Sequence, residues 1–262
     1  MRSGRIVTAF SNMLPFILNQ LKRVMKMQKT ILISDIHGEF KKFQELLTLT
    51  NYSPNKDRLV LLGDYVDRGP DSANALDLVM QLQQKGAIVL IGNHENLMQK
   101  AFIEQTEYAW KHWTERCGGK ETLLSYGFSE EEIQGIGEGE QFNVPQLQSE
   151  KLDEHLAFIK NLHTYIEEDD YIFVHAGIDP LIPVSETDKE TLIWIREEFH
   201  NGYTGSKTVV FGHTPTSTLH QNENNHDVYF GQNNIIGIDG GAVFGGQLNC
   251  LELPSKSIYF IK

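Results

Sequence analysis

The sequence predicts an α/β fold in which two β-sheets pack face to face and helices cover the outside. Two observations carry this expectation: strand-length apolar runs alternate with helical periodicity from Thr30 to about residue 91, and the second half is rich in further short strands. Burying that many short strands takes two sheets rather than one. No internal repeat or long linker divides the chain.

Taken in order, Thr30–Ile33, 59–62 and 87–91 are apolar runs that end directly in polar motifs, as buried parallel strands do. Between them Phe40, Phe43, Leu46 and Leu47 recur at helical spacing. Leu76, Val79 and Met80 do the same, with Asp71 or Ser72 as N-cap after Pro70. This alternation implies βαβ crossovers and a mostly parallel sheet. From about Asn93 to Leu162 no strand is evident. Leu152, Leu156, Ile159 and Leu162 share one helical face, Trp110 and Trp113 sit in another helix, and Gly135, Gly137 and Gly139 mark a loop. These residues read as a helical insertion at about 97–165 whose Met and aromatic side chains are core. Strands follow at Tyr171–Val174, 207–211, 235–238, 247–253 and Ser257–Ile261, the last two as a hairpin turning at Pro254 and Ser255. Residues 30–262 are thus expected to form one domain, and residues 1–29 an extension outside its core.

Composition bounds the function. Hydrophobic residues at 40% and charged residues at 22% are those of a globular protein. A net charge of −12 argues against a nucleic-acid partner, which clustered Lys and Arg would have to hold. Cys117 and Cys250 form no C-x-x-C pair, so reduced thiols and a cytoplasmic location are the default, and no activating basic loop surrounds Cys117. The apolar stretch 13–21 is broken by Pro15 and Asn19 and is too short for stable membrane insertion. The first residues read as an amphipathic or disordered extension, or as a start upstream of a true one at Met25 or Met27. Nothing in the sequence specifies an oligomeric state.

The chemistry lies in five motifs after strand ends: Asp35-Ile36-His37-Gly38, Gly63-Asp64-Tyr65-Val66-Asp67-Arg68-Gly69, Gly92-Asn93-His94-Glu95, His175-Ala176-Gly177 and Gly212-His213-Thr214. Ligand sites in α/β sheets lie beyond the carboxyl ends of strands, so these loops can converge. Mixed imidazole and carboxylate donors suit borderline divalent metals, Mn²⁺ foremost, with Fe or Zn as alternatives. One ion would take Asp35, His37 and Asp64, and a second Asp64, Asn93, His175 and His213, with Asp64 bridging. Two such ions about 3.5–4 Å apart activate a water for in-line attack on phosphorus. His94 would protonate the leaving group while Asp67 orients its ring. Arg68, Asn93 and Arg196 would bind phosphate, with Arg196 on a helix whose Leu192, Ile195 and Phe199 face the core.

This set resembles the phosphoprotein phosphatase family, a branch of the metallophosphoesterase superfamily, from about Thr30 to Lys262. The resemblance implies a central β-sandwich flanked by helices with the metals at its edge, and it supports the roles just given. Pro215 follows Gly212-His213-Thr214, where many other metallophosphoesterases carry Gly-His-x-His; this matches the phosphoprotein phosphatases and the symmetrical diadenosine tetraphosphatases. The eukaryotic Ser-Ala-Pro-Asn-Tyr segment is replaced by Ile238-Asp239-Gly240-Gly241-Ala242, which resembles both the bacterial protein phosphatases and the dinucleotide hydrolases. The expected function is a bacterial-type protein serine/threonine phosphatase that attacks with metal-bound hydroxide, so the partner is a phosphoprotein or a small phosphorylated substrate. The alternative is a bis(5'-nucleosyl)-tetraphosphatase. A non-catalytic metal-binding scaffold would have lost a ligand or the acid, and every one is present. The motif loops show no second phosphate clamp, which favours a monoester, although Lys111, Arg116 or Lys120 of the insertion could supply one.

Overall fold

The computed structural model describes residues 29–138 and 141–262. The expectation for an N-terminal extension therefore falls, up to residue 28, outside the described residues. The first sheet contains β1 (Thr30–Ile33), β2 (Arg58–Leu61), β3 (Ile88–Val89), β9 (Leu248–Leu253) and β10 (Ser257–Ile261), in the order β10-β9-β1-β2-β3. The second contains β4 (Tyr165–Glu167), β5 (Tyr171–Val174), β6 (Thr208–Phe211), β7 (Tyr229–Phe230) and β8 (Ile235–Gly237), in the order β4-β5-β6-β8-β7. Each sheet has a parallel run, β1-β2-β3 in one and β5-β6-β8 in the other; antiparallel β9 and β10 extend the first on one side only, and antiparallel β4 and β7 close the second at both edges.

The two-residue alternation of each strand divides the core. Leu32 and Val60 of the first sheet cluster with Phe173, Val210, Ile236, Leu251 and Leu253, forming the apolar layer between the sheets. Their neighbours Ile31, Ile33, Leu59 and Leu61 point the other way and join Phe43 and Leu46 of helix α1 (Phe40–Leu49) and Leu76 and Val79 of α2 (Ser72–Gln84). Asp71 caps α2 by accepting from the Asn74 N–H. Strands that must fill an apolar layer on both faces read as unbroken hydrophobic runs, which is why β1 and β2 stood out in the sequence.

Residues after β3 form α3 (Asn93–Glu104), α4 (Glu107–Lys111), a π-helical turn at His112–Arg116, α5 (Gly119–Ser125), α6 (Glu130–Ile133) and α7 (Glu150–Ile159). Trp110 and Trp113 are fully buried there, edge to face with ring centroids 5.9 Å apart. Then come α8 (Lys189–Trp194), α9 (Glu197–Gly202) and α10 (Thr216–Leu219). Strands β4 and β7, of three and two residues, were not expected, nor was the break between α8 and α9 at Ile195 and Arg196.

Candidate metal centre and active site

All five motifs leave the carboxyl end of a parallel strand, three from the first sheet and two from the second, and the strand ends face one another. Asp35, His37, Asp64, Asp67, Arg68 and His213 all hold positive φ, between 43° and 74°. For residues with a Cβ this conformation is strained, and it persists only where the surroundings over-determine it. Two glycines allow the loops to approach. A Cβ on Gly92 would collide with the Asp64 carboxylate, and one on Gly212 with Ser34 and the Asp35 carboxylate.

Asp64 is the hub. One carboxylate oxygen lies 3.4 Å from His175 Nε2 and accepts the His94 N–H at 3.0 Å from the first turn of α3. The other lies 3.5 Å from His37 Nε2 and 4.0 Å from His94 Nε2. Asn93 Oδ1 stands 2.9 Å from both His175 Nε2 and His213 Nδ1. Asp64, His175 and His213 therefore form one tight donor group, and Asp64, His37 and His94 another, with Asp64 in both. Asp35 is buried against the same centre, but its carboxylate is turned to the His213 backbone N–H at 3.0 and 3.1 Å.

The imidazoles are oriented from behind. His37 Nδ1 donates to the Val66 carbonyl at 2.8 Å and His175 Nδ1 to the Leu62 carbonyl at 2.9 Å, so each turns Nε2 into the centre. Burial would push the Asp64 carboxyl up, but His175, His94 and His37 together hold it well below the usual carboxylate range. Burial likewise works against charge on His175, yet Asp64 and Asp35 raise it to about 9. His37 and His213 are lowered by burial and by neighbouring imidazoles, which leaves them as neutral donors. Buried His213 Nε2 has no hydrogen-bond partner among the described residues, and imidazoles converging with an amide oxygen on one buried carboxylate suit divalent cations, which would take the place of the protons that join them here.

His94 and Asp67 are paired, Nδ1 to Oδ2 at 2.6 Å, with both side chains buried. Although burial disfavours the imidazolium, Asp64 and Asp67 outweigh it and raise the His94 pKa, as a proton donor requires. Asp67 is itself held by groups the sequence gave no reason to choose. Trp113 Nε1–H donates to both its oxygens at 3.0 Å, and the Thr122 hydroxyl donates to Oδ1 at 2.7 Å. Trp113, expected to be core, is fully buried, and it also carries this bond.

Glu95 and Asp239 were also missed. The buried Glu95 carboxylate accepts the N–H groups of Asp64, Tyr65 and Gly92 at 2.7 to 2.9 Å, pinning two motif loops together. Burial and Asp64 raise its pKa to about 7. Asp239 follows β8, also a parallel strand, and its place at that strand end was the available signal. It is raised to about 6 by burial and Asp64, and its charge partly offsets the lowering that burial imposes on Arg196.

Arg68 Nη1 donates to His37 Nε2 at 2.7 Å, and its guanidinium lies over the Phe244 ring, 5.0 Å from the centroid. Arg196 stands in the break between α8 and α9 rather than on a helix. From there it donates to the His213 carbonyl at 3.1 Å and the Thr214 hydroxyl at 2.8 Å. The break follows from packing: the Ala176 N–H bonds the Leu192 carbonyl, and Gly177 is pressed against Ile195 and Phe199. Of the additional cations, Lys111 pairs with Glu107 and Lys120 with Glu130, while Arg116 has no salt-bridge partner among the described residues. Burial and Asp67 push the Cys117 thiol up, which makes it a poor nucleophile.

The family model described as calcineurin-like phosphoesterase matches residues 28–246. The chain is similar to the asymmetrical bis(5'-nucleosyl)-tetraphosphatase PrpE of Oceanobacillus iheyensis, 28% identical over 253 residues, which span 87% of this chain and 90% of the relative. A protein of the same name from Bacillus mycoides is 28% identical over 248 residues, 85% of this chain and 89% of its own. In fold the chain is similar to the crystal structure of a candidate diadenosine tetraphosphatase, with a TM-score of 0.64 and 20% identity over 89% of this chain and 93% of that one. It is also similar to a protein serine/threonine phosphatase of Saccharomyces cerevisiae, with a TM-score of 0.59 and 14% identity over 90% of this chain and 80% of that one.

Proposed function

The chain belongs to the calcineurin-like phosphoesterase family, metal-dependent hydrolases of phosphoester bonds, and from that premise we propose that its substrates are dinucleoside tetraphosphates. The observation that carries this reading is the match, over 85% or more of this chain and 89% or more of each relative, to relatives that bear one name, bis(5'-nucleosyl)-tetraphosphatase. It reverses the preference drawn from the sequence, which rested on the lack of a second phosphate clamp. Arg68 and Arg196 serve a phosphomonoester and a polyphosphate equally, so the count of arginines in the loops does not separate the two.

On this reading Asp64, Asn93, His175 and His213 hold one divalent ion, whose Asp64, His175 and His213 already form a donor group, and Asp35, His37 and Asp64 hold another, once the Asp35 carboxylate gives up the His213 N–H, with Mn²⁺ by preference. When bound, such ions neutralise phosphoryl charge and lower the pKa of water. Arg68 and Arg196 grip the phosphoryl oxygens and align the phosphoanhydride for in-line displacement. His94 presents a proton at Nε2, with Asp67 holding Nδ1. The leaving group of an anhydride is itself a phosphate, whose second pKa is about 6, so it needs that proton less than an alkoxide does.

The test compares kcat/KM on diadenosine tetraphosphate and on a phosphoserine peptide at one Mn²⁺ concentration, with chromatography of the products. The expected result is a preference of about tenfold or more for the dinucleotide, about 1.4 kcal/mol in the transition state. AMP and ATP should appear in equal amounts, as asymmetrical cleavage requires. A tenfold preference for the peptide would restore the protein phosphatase reading.

A further inference from the structure

Phe244 is 67% exposed, yet it is not on a loose loop. It ends a 3₁₀ turn, Ala242–Phe244, set between Gly241 and Gly245, both at positive φ. The Phe244 and Gly246 N–H groups both bond the Gly241 carbonyl, at 2.9 and 3.0 Å. The Gly241 N–H bonds Asp239 Oδ1 at 2.8 Å, and Lys42 Nζ donates to the Ala242 carbonyl at 3.0 Å. The turn thus holds an aromatic ring out to solvent in a fixed place. That place is beside the metal centre: the guanidinium that covers the ring is the one that reaches His37 Nε2.

A single exposed apolar side chain is ordinary on a protein surface. This one differs in lying directly against Arg68, the side chain that would bind phosphate. We propose that Phe244 is a nucleobase platform, on which a purine of the substrate stacks while Arg68 binds a phosphate of the same nucleotide. The proposal rests on the dinucleoside tetraphosphate reading above and adds to it the residue that distinguishes a nucleotide from a bare polyphosphate. Stacking on a phenyl ring needs no hydrogen-bond readout, so the platform accepts different bases. The guanidinium adds a cation–π contact at the ring.

The alternative role for Phe244 is to prop Arg68, and the substrates separate the two. The experiment measures kcat/KM on diadenosine tetraphosphate and on inorganic tripolyphosphate, which offers anhydride bonds and no base. Equilibrium binding of ATP and tripolyphosphate gives the same comparison without turnover. With Phe244→Ala, the preference for the dinucleotide over tripolyphosphate should fall about tenfold, chiefly through KM, within the range that base–aromatic stacking carries. Phe244→Trp should restore it. An equal loss on both substrates would show that the ring only supports Arg68, and an unchanged preference would show no contact with the base; either overturns the platform. If the unaltered protein itself prefers a phosphopeptide, the substrate reading fails first and the platform falls with it. Preference for the dinucleotide with no effect of Phe244→Ala removes the platform alone.

Discussion

If His94 is the general acid proposed above, it and the residues behind it set how much the leaving group matters. Replacing His94 with Asn should lower kcat on a phosphoserine peptide by about 10²–10⁴-fold, the usual value of a general acid. The loss on diadenosine tetraphosphate should be smaller, because a phosphate departs more easily than an alkoxide. Equal losses on the two substrates, in protein with unchanged metal content, would argue against proton donation. Trp113→Phe keeps an aromatic ring of smaller size in the buried site and removes the N–H that both Asp67 oxygens share. A hydrogen bond to a charged group is worth about 1.5–3 kcal/mol. The variant should therefore show the leaving-group dependence of His94→Asn in milder form, and a uniform loss would mark Trp113 as structural only. These two positions also show what was legible. His94 and Asp67 stand in short motifs with strict spacing. Trp113 and Thr122 come from a segment about fifty residues after Asp67 in sequence, and their aim depends on how α4, the π turn and α5 pack.

At the scale of elements, apolar runs located the central strands to within a residue or two, because strands covered on both faces have no polar alternation to hide them. The short edge strands β4 and β7 carry no such run, and tertiary pairing alone makes them strands. The α8–α9 break escaped notice because Leu192, Ile195 and Phe199 keep helical spacing across it. Helix α9 bears a pH-dependent weakness. His200 stacks on Phe211, with ring centroids 5.2 Å apart, and burial followed by Arg196 lowers its pKa to about 4. The unfolded chain takes up this proton near pH 6.5 and the folded one only near 4, so stability falls as the pH drops through that window. Full burial would give about 1.4 kcal/mol per pH unit; partial exposure of the ring reduces the total to about 2 kcal/mol or less. His200→Phe should flatten the denaturation midpoint between pH 6.5 and 4 relative to the unaltered chain. An identical pH profile would show that His200 titrates normally. Gly92 sets a steric limit at the start of α3: Gly92→Ala drives a methyl into the Asp64 carboxylate, and metal content should fall even where the fold survives on circular dichroism.

Across the molecule, the two sheets do more than share a core. Their parallel strands end on the same side, so loops from β1, β2 and β3 meet loops from β5, β6 and β8. An excess of negative charge, −12 over the chain, makes cations the natural means of holding a polyanionic substrate at such a place. Among the described residues no helix is long and apolar enough to cross a membrane. Two ions that share Asp64, held by the two sheets together, would fix the metal content of each chain. Purified protein loaded with Mn²⁺ and freed of excess should retain about two ions, as a two-metal site requires. His37→Ala and His213→Ala should each retain about one, and Asp64→Asn should lose affinity at both positions. A single ion in the unaltered protein, or an Asp64→Asn variant that keeps two ions bound as tightly as before, would contradict a shared centre.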